Sequence, residues 1–106
     1  MLKKTNRVDR KTINQIFKLG HFINSPNLTF KFIKNTDNNF KFSFIAPKSV
    51  AKLAVKRNSL RRHGYNALKR ISFLPKEIVG IFIYKKVVLD ISQLENEIKT
   101  IFNKIN

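Results

Sequence analysis

The chain reads as an α+β sandwich: a small mixed sheet with helices packed on it, in the order α-β-β-β-α-β-α. Three observations predict this. Two runs of alternating apolar residues, Leu28 to Ile33 and Phe40 to Phe44, flank one polar turn. A basic segment ending at Ile71 repeats its apolar residues at helical spacing. After Pro75, the run Ile78 to Tyr84 is apolar on both faces and rich in β-branched residues, as in a strand covered on two sides.

The first element is a helix. Asp9 is placed to cap it, Val8 and Ile13 occupy the N′ and N4 positions of a hydrophobic staple, and Gly20 is placed to close it. Its apolar stripe is Ile13, Ile16 and Phe17. Ser25-Pro26-Asn27 then turns the chain into a strand whose Leu28, Phe30 and Phe32 share a face. Asn35 to Asn39 is turn chemistry, and beyond it Phe40, Phe42 and Phe44 alternate with Lys41 and Ser43. Two such runs around one turn predict an antiparallel hairpin, with a third strand expected around Phe40 to Pro47.

The basic segment predicts a helix from about Val50 or Ala54 to Ile71. Leu53, Leu60, Gly64, Leu68 and Ile71 fall on one side of it. Glycine inside a helix costs about 1 kcal/mol against alanine, so Gly64 on the buried side implies close approach to the sheet. Asn58, Ser59, Arg62, Lys69 and Arg70 face away, with Arg61 at the border and Arg57 nearer the apolar side. Ser92 and Glu95 fit a capping box for a last helix, which turns Leu94, Ile98, Ile101, Phe102 and Ile105 inward.

With 106 residues, 42% of them hydrophobic and ten of them Phe, the chain is expected to form one domain, 1–106, around a single core. The net charge is +16. From Asn38 to Lys76 there are ten basic side chains and no acid. Positive charge at that density repels itself and calls for a polyanion, with nucleic acid ahead of an acidic membrane surface. The chain has sixteen Lys and six Arg, yet three of the six Arg lie between residues 57 and 62. Arginine grips phosphate bidentately and stacks on bases, which lysine cannot do. No cysteine is present, which excludes disulfides, thiolate metal sites and thiol catalysis. Neither a signal peptide nor an apolar run of membrane-spanning length is visible, so a cytoplasmic location is expected.

Catalysis by the chain itself is not expected. Its six acids are Asp9, Asp37, Glu77, Asp90, Glu95 and Glu97. No pair is spaced as a metal-binding dyad, and His21 and His63 have no partner in sequence. Catalytic residues and protein metal ligands are therefore expected to be none.

The stretch Pro47-Lys48-Ser49-Val50-Ala51-Lys52-Leu53-Ala54-Val55-Lys56-Arg57-Asn58-Ser59-Leu60-Arg61-Arg62 closely resembles the signature of the bacterial ribonuclease P protein component. Leu2-Lys3-Lys4, Asn6-Arg7-Val8, Ile16-Phe17-Lys18 and Gly20 are similar to that family's lead-in and first helix. Ser25-Pro26 with Leu28-Thr29 resembles the opening of its first strand. There are departures: Ser59 and Leu53 stand where the family usually has basic residues, His63-Gly64-Tyr65 where it often has Leu-Leu-Arg, and Ser43 at a common Gly position.

The resemblance implies the protein subunit of ribonuclease P. It would bind a catalytic RNA that, with Mg²⁺, removes the 5′ leader of precursor tRNA. It implies a left-handed β-α-β crossover around the basic helix, against the usual handedness. Lys48, Lys52, Lys56, Arg57, Asn58, Arg61 and Arg62 would contact the catalytic RNA. Ile13 and Phe17 would lie at a cleft for the single-stranded leader, and Lys3, Lys4 and Arg7 would make N-terminal RNA contacts. Mg²⁺ would be bound mainly by the RNA, no organic cofactor is implied, and neither membrane nor DNA is a partner. The competing expectation is a small basic ribosomal or other structural RNA-binding protein.

Overall fold

Helix α1 (Arg10–Leu19) begins where Asp9 Oδ1 accepts the Thr12 N–H at 2.8 Å, which satisfies one of the donors that every helix start leaves open. Val8 is buried beside Ile13, as the staple requires, and the Gly20 N–H closes the helix on the Ile16 carbonyl. The computed structural model describes residues 8–34, 41–72, 74–75 and 77–105. The elements after α1 are β1 (His21–Asn24), β2 (Leu28–Lys34), β3 (Lys41–Ile45), α2 (Ala54–Lys69), β4 (Ile78–Tyr84) and α3 (Ile91–Ile105). The α-β-β-β-α-β-α order holds.

The strand pairing differs from the expected hairpin. The sheet order is β1-β2-β4-β3, so β2 and β3 are not neighbours. β4 lies between them, antiparallel to β2 and parallel to β3. The reason is that α2 carries the chain from β3 to β4, and a crossover of that length brings the next strand back parallel. β4 takes the centre because it is apolar on both faces: all of it is buried except half-buried Ile83. The hairpin is β1–β2 instead, and Ser25 to Asn27 is its turn. The extra strand therefore precedes that turn. The expected turn at Asn35 to Asn39 lies outside the described residues.

Two apolar layers hold the sheet. On one face Leu28, Phe30, Phe42, Phe44, Phe82 and Tyr84 pack against Leu60, Leu68, Leu94, Ile98 and Ile101 of α2 and α3. Phe30 stacks on Phe82 at 4.4 Å, and Phe44 on Phe82 at 4.8 Å. Such aromatic pairs add about 0.5–1.5 kcal/mol beyond the area they bury. On the other face Ile16 of α1 packs with Val8, Val79 and Ile81. α3 starts at Asp90 rather than Ser92: Asp90 Oδ1 accepts the N–H groups of Ser92 at 2.9 Å and Gln93 at 3.3 Å. A carboxylate two residues earlier is the stronger acceptor, and the helix dipole favours its charge there. Glu95 is left to pair with Arg70 and Lys99.

Candidate nucleic-acid interface

α2 packs Leu60, Gly64, Ala67 and Leu68 onto the sheet, and this leaves it two flanks. On the flank towards β3, Asn58, Arg61 and Arg62 overlook a groove of about 590 Å³. Its other lining residues are Ile13 of α1, Ser43, Phe44 and Ile45 of β3, and Tyr65. No acid lines it. Arg61 donates to the Asn58 side-chain oxygen, so the two form one unit on the rim. Ser43 is buried, and its hydroxyl accepts the Val8 N–H at 2.8 Å. This bond ties the chain entering α1 to the groove floor, so the hydroxyl has a structural use where glycine would have none.

Beside the groove, α1 covers Val79 and Ile81 and leaves a partly open row of the sheet along its edge. The registers align Thr29, Ile83 and Ile45 across β2, β4 and β3, and all three are half-buried. The next row is Phe22, Lys31, Ile81 and Ser43. Phe17 is 47% exposed, and Lys31 Nζ stands 4.8 Å from its ring centroid. Phe22, opposite Lys31 on the edge strand, is also exposed. A cation against one exposed aromatic ring, with a second exposed ring opposite it across the strand pair, is suited to a phosphate beside stacked bases.

The structure thus divides the residues expected to bind RNA. Ile13 joins Asn58, Arg61 and Arg62 in one groove, and Phe17 lies one turn further along α1 beside Lys31. Lys52 and Lys56 line a second groove, on the opposite flank of α2. Lys48 is exposed in the loop before the helix and lines neither. Arg57 is half-buried, and its Nη1 donates to the carbonyls of Ala51 at 3.1 Å and Lys52 at 2.8 Å. Those bonds hold the entry to α2, whose N-cap Leu53 makes no side-chain bond. Lys3, Lys4 and Arg7 lie outside the described residues.

Lys31, Phe22 and Tyr65 are site residues that sequence reasoning misses. The alternation in β2 puts Lys31 opposite the Phe30 face, which is the one available signal. The edge position of Phe22 follows only once the β1–β2 pairing is known.

Asp9, Asp90, Glu95 and Glu97 are used elsewhere. The Thr12 hydrogen bonds hold the Asp9 carboxyl below its usual range, and Lys99 first, then Arg70, does the same for Glu95. Glu97 accepts from the Asn27 N–H at 2.9 Å and Asn27 Nδ2 at 2.8 Å, and also from Ser25 Oγ, so α3 pins the β1–β2 turn. Among the described residues no three His, Cys, Asp or Glu side chains gather as a metal site. Among them, too, no helix is long and apolar enough to cross a membrane.

Comparison with known proteins agrees with this geometry. The Ribonuclease P family model matches residues 2–106. The ribonuclease P protein of Thermotoga maritima superposes with a TM-score of 0.82 at 20% identity, covering 94% of this chain and 97% of that one. The Staphylococcus aureus ribonuclease P protein superposes at 0.78 and 17% identity, covering 97% of each chain. A sequence comparison with curated proteins finds no match. The two superpositions establish a shared fold, and the family match over nearly the whole length establishes more: this chain belongs to the Ribonuclease P family.

Proposed function

We propose that residues 1–106 act as one RNA-binding domain, the protein subunit of a ribonuclease P ribonucleoprotein that removes the 5′ leader of precursor tRNA. The observation that carries this reading is the acid-free groove in which Asn58, Arg61 and Arg62 face Ile13 across an apolar sheet floor. The arginines neutralise phosphates where catalytic RNA and substrate crowd together. Ile13, Phe17, Lys31 and Phe22 offer unpaired leader nucleotides a sequence-tolerant surface. Stacking there is worth about 1–3 kcal/mol per base on an aromatic ring. Lys48, Lys52 and Lys56 add phosphate contacts around the start of α2, and Lys3, Lys4 and Arg7 extend them at the N-terminus. Arg57 shapes that start and offers the rest of its fork to the RNA.

Bond cleavage is assigned to the RNA. Asp9 and Asp90 cap helices, Glu95 is in ion pairs and Glu97 holds a turn, so these carboxylates do not form a donor set suited to a resident Mg²⁺. Mg²⁺ is assigned to RNA phosphates, and the basic surface lowers the concentration required. The test adds the purified protein to its cognate catalytic RNA and a precursor tRNA at low Mg²⁺. Leader removal should be stimulated, and more for precursor with a leader of several nucleotides than for one with a single nucleotide. Unstimulated cleavage would overturn the reading.

A further inference from the structure

The second groove on α2 has the wrong chemistry for phosphate contact alone. It encloses about 510 Å³, within the roughly 300–1,000 Å³ of small-ligand sites. Leu53 at the helix entry faces Val87 and Leu89 of the β4–α3 loop across it, and Ala51 and Leu60 lie at its base. Leu53, Val87 and Leu89 are 59%, 56% and 57% exposed, an open apolar cluster on a chain of net charge +16. Lys52 and Lys56 stand on its rim, and no acid lines it. Ser59 and His63 supply its polar groups. The Ser59 carbonyl can only accept, so His63 Nδ1 carries the proton of their bond at 2.5 Å. In the neutral ring Nε2 is then an acceptor, and among the described residues it has no partner.

Resting on the function proposed above, we infer that this cup takes an unstacked nucleobase of the catalytic RNA. A base has two apolar faces and a polar edge, and its flanking phosphates are anionic. The cup matches each part: aliphatic walls for the faces, Ser59 and His63 for the edge, and Lys52 and Lys56 for the phosphates. Charge complementarity favours this occupant over an uncharged apolar segment. The leader is not the source of the base, because its groove lies on the other flank of α2. The RNA therefore grips the helix from both sides.

The test measures affinity for the catalytic RNA and chemical protection of its unpaired bases, with wild-type protein, Leu53→Lys and Leu89→Ser. The sign of the Leu53→Lys effect decides. A purely electrostatic surface gains affinity from the added charge, whereas the cup loses an apolar wall. Both variants should bind roughly tenfold more weakly, as loss of one aliphatic wall implies, and lose protection at the same unpaired base, with an unchanged thermal midpoint. Tighter binding by Leu53→Lys, or protection equal to wild type in both variants, overturns the inference and leaves an acidic peptide as the occupant the groove would suit. Should Leu89→Ser unfold, Leu53→Lys still decides. Failure of wild-type protein to bind the RNA at all would count against the proposed function itself, a separate outcome.

Discussion

Gly64 of α2 lies directly against the ring of Phe44 on β3. A Cβ added there would sit 2.8 Å from Phe44 Cγ and closer still to Cδ2 and Cε2. Phe44 cannot give way, because Phe82 stacks on it and Tyr65 meets it edge-on at 5.0 Å. Helix propensity alone predicts that Gly64→Ala stabilises by about 1 kcal/mol. Overpacking of about 1–3 kcal/mol opposes it and should win, since no flexible side-chain end absorbs the clash. The expected outcome is a lower thermal midpoint for Gly64→Ala, read by circular dichroism. A raised midpoint would mean that α2 does not sit this close to the sheet.

Arg57 and Arg61 belong to the same sequence motif but have different surroundings, and their variants should separate accordingly. Arg57→Ala removes the donor to two loop carbonyls, so the thermal midpoint should fall by the equivalent of about 1–3 kcal/mol. Arg61→Ala should leave the midpoint nearly unchanged, because its guanidinium is exposed and bonded only to Asn58 among the described residues. Denaturation curves of both variants test this. Equal stability losses would show that the loop carbonyls do not depend on Arg57.

That difference shows where the sequence is informative and where it is not. Period and turn chemistry mark α1, α2, β4 and α3, because those elements bury continuous apolar stripes. β1 is not legible: three of its four residues are exposed, so it shows no alternation. The order of strands is not legible either, since Phe42 and Phe44 alternate identically whether they pair with β2 or with β4. Asp90 and Ser92 both fit a helix start, and only the hydrogen bonds separate them. The basic side chains of α2 are plain, but their division between two grooves depends on which loops flank the helix. Lys31 is invisible as a site residue until the fold sets it against the Phe17 ring of α1 and opposite Phe22 of β1.

The turn between β1 and β2 should depend on α3. Glu97→Ala removes the acceptor for the Asn27 backbone N–H, the Asn27 amide and the Ser25 hydroxyl. A buried donor left unpaired costs about 1–3 kcal/mol, and these groups are partly buried, so the loss should lie near the lower end. Amide exchange should quicken at Asn27 and Leu28 while the β2–β4 pairing stays protected. Uniformly faster exchange would indicate global destabilisation instead.

Acid should loosen the start of α1 and the ion pairs that Glu95 of α3 makes with Arg70 and Lys99 before it loosens the sheet. The carboxyls of Asp9 and Glu95 titrate below their usual range in the folded chain. Their contribution is fully present above the unfolded carboxylate range and disappears as the pH falls through the depressed folded values. Stability should therefore be flat near neutrality and decline from the ordinary carboxylate range downward. Asp9→Asn keeps an acceptor at the N-cap and should flatten part of that decline, as pH-dependent melting would show. An acid profile unaltered by Asp9→Asn would remove the cap from the explanation.

Phe17 tests the proposed leader groove apart from assembly. Its ring is 47% exposed and packed against Lys31, so its removal should hardly change the thermal midpoint. Stacking of one base on an aromatic ring is worth about 1–3 kcal/mol, so Phe17→Ala should lose roughly 5- to 150-fold of the preference for precursor over mature tRNA. Affinity for the catalytic RNA should be nearly unaffected. Arg61→Ala and Arg62→Ala should do the reverse: assembly weakens, and the slope of log affinity against log salt becomes shallower by about 0.7–0.9 for each phosphate that is no longer neutralised. The two measurements therefore cross. If Phe17→Ala and Arg61→Ala changed both readouts in the same proportion, the groove and the arginine rim would be one undivided surface, and the separate leader path along α1 would have to be abandoned.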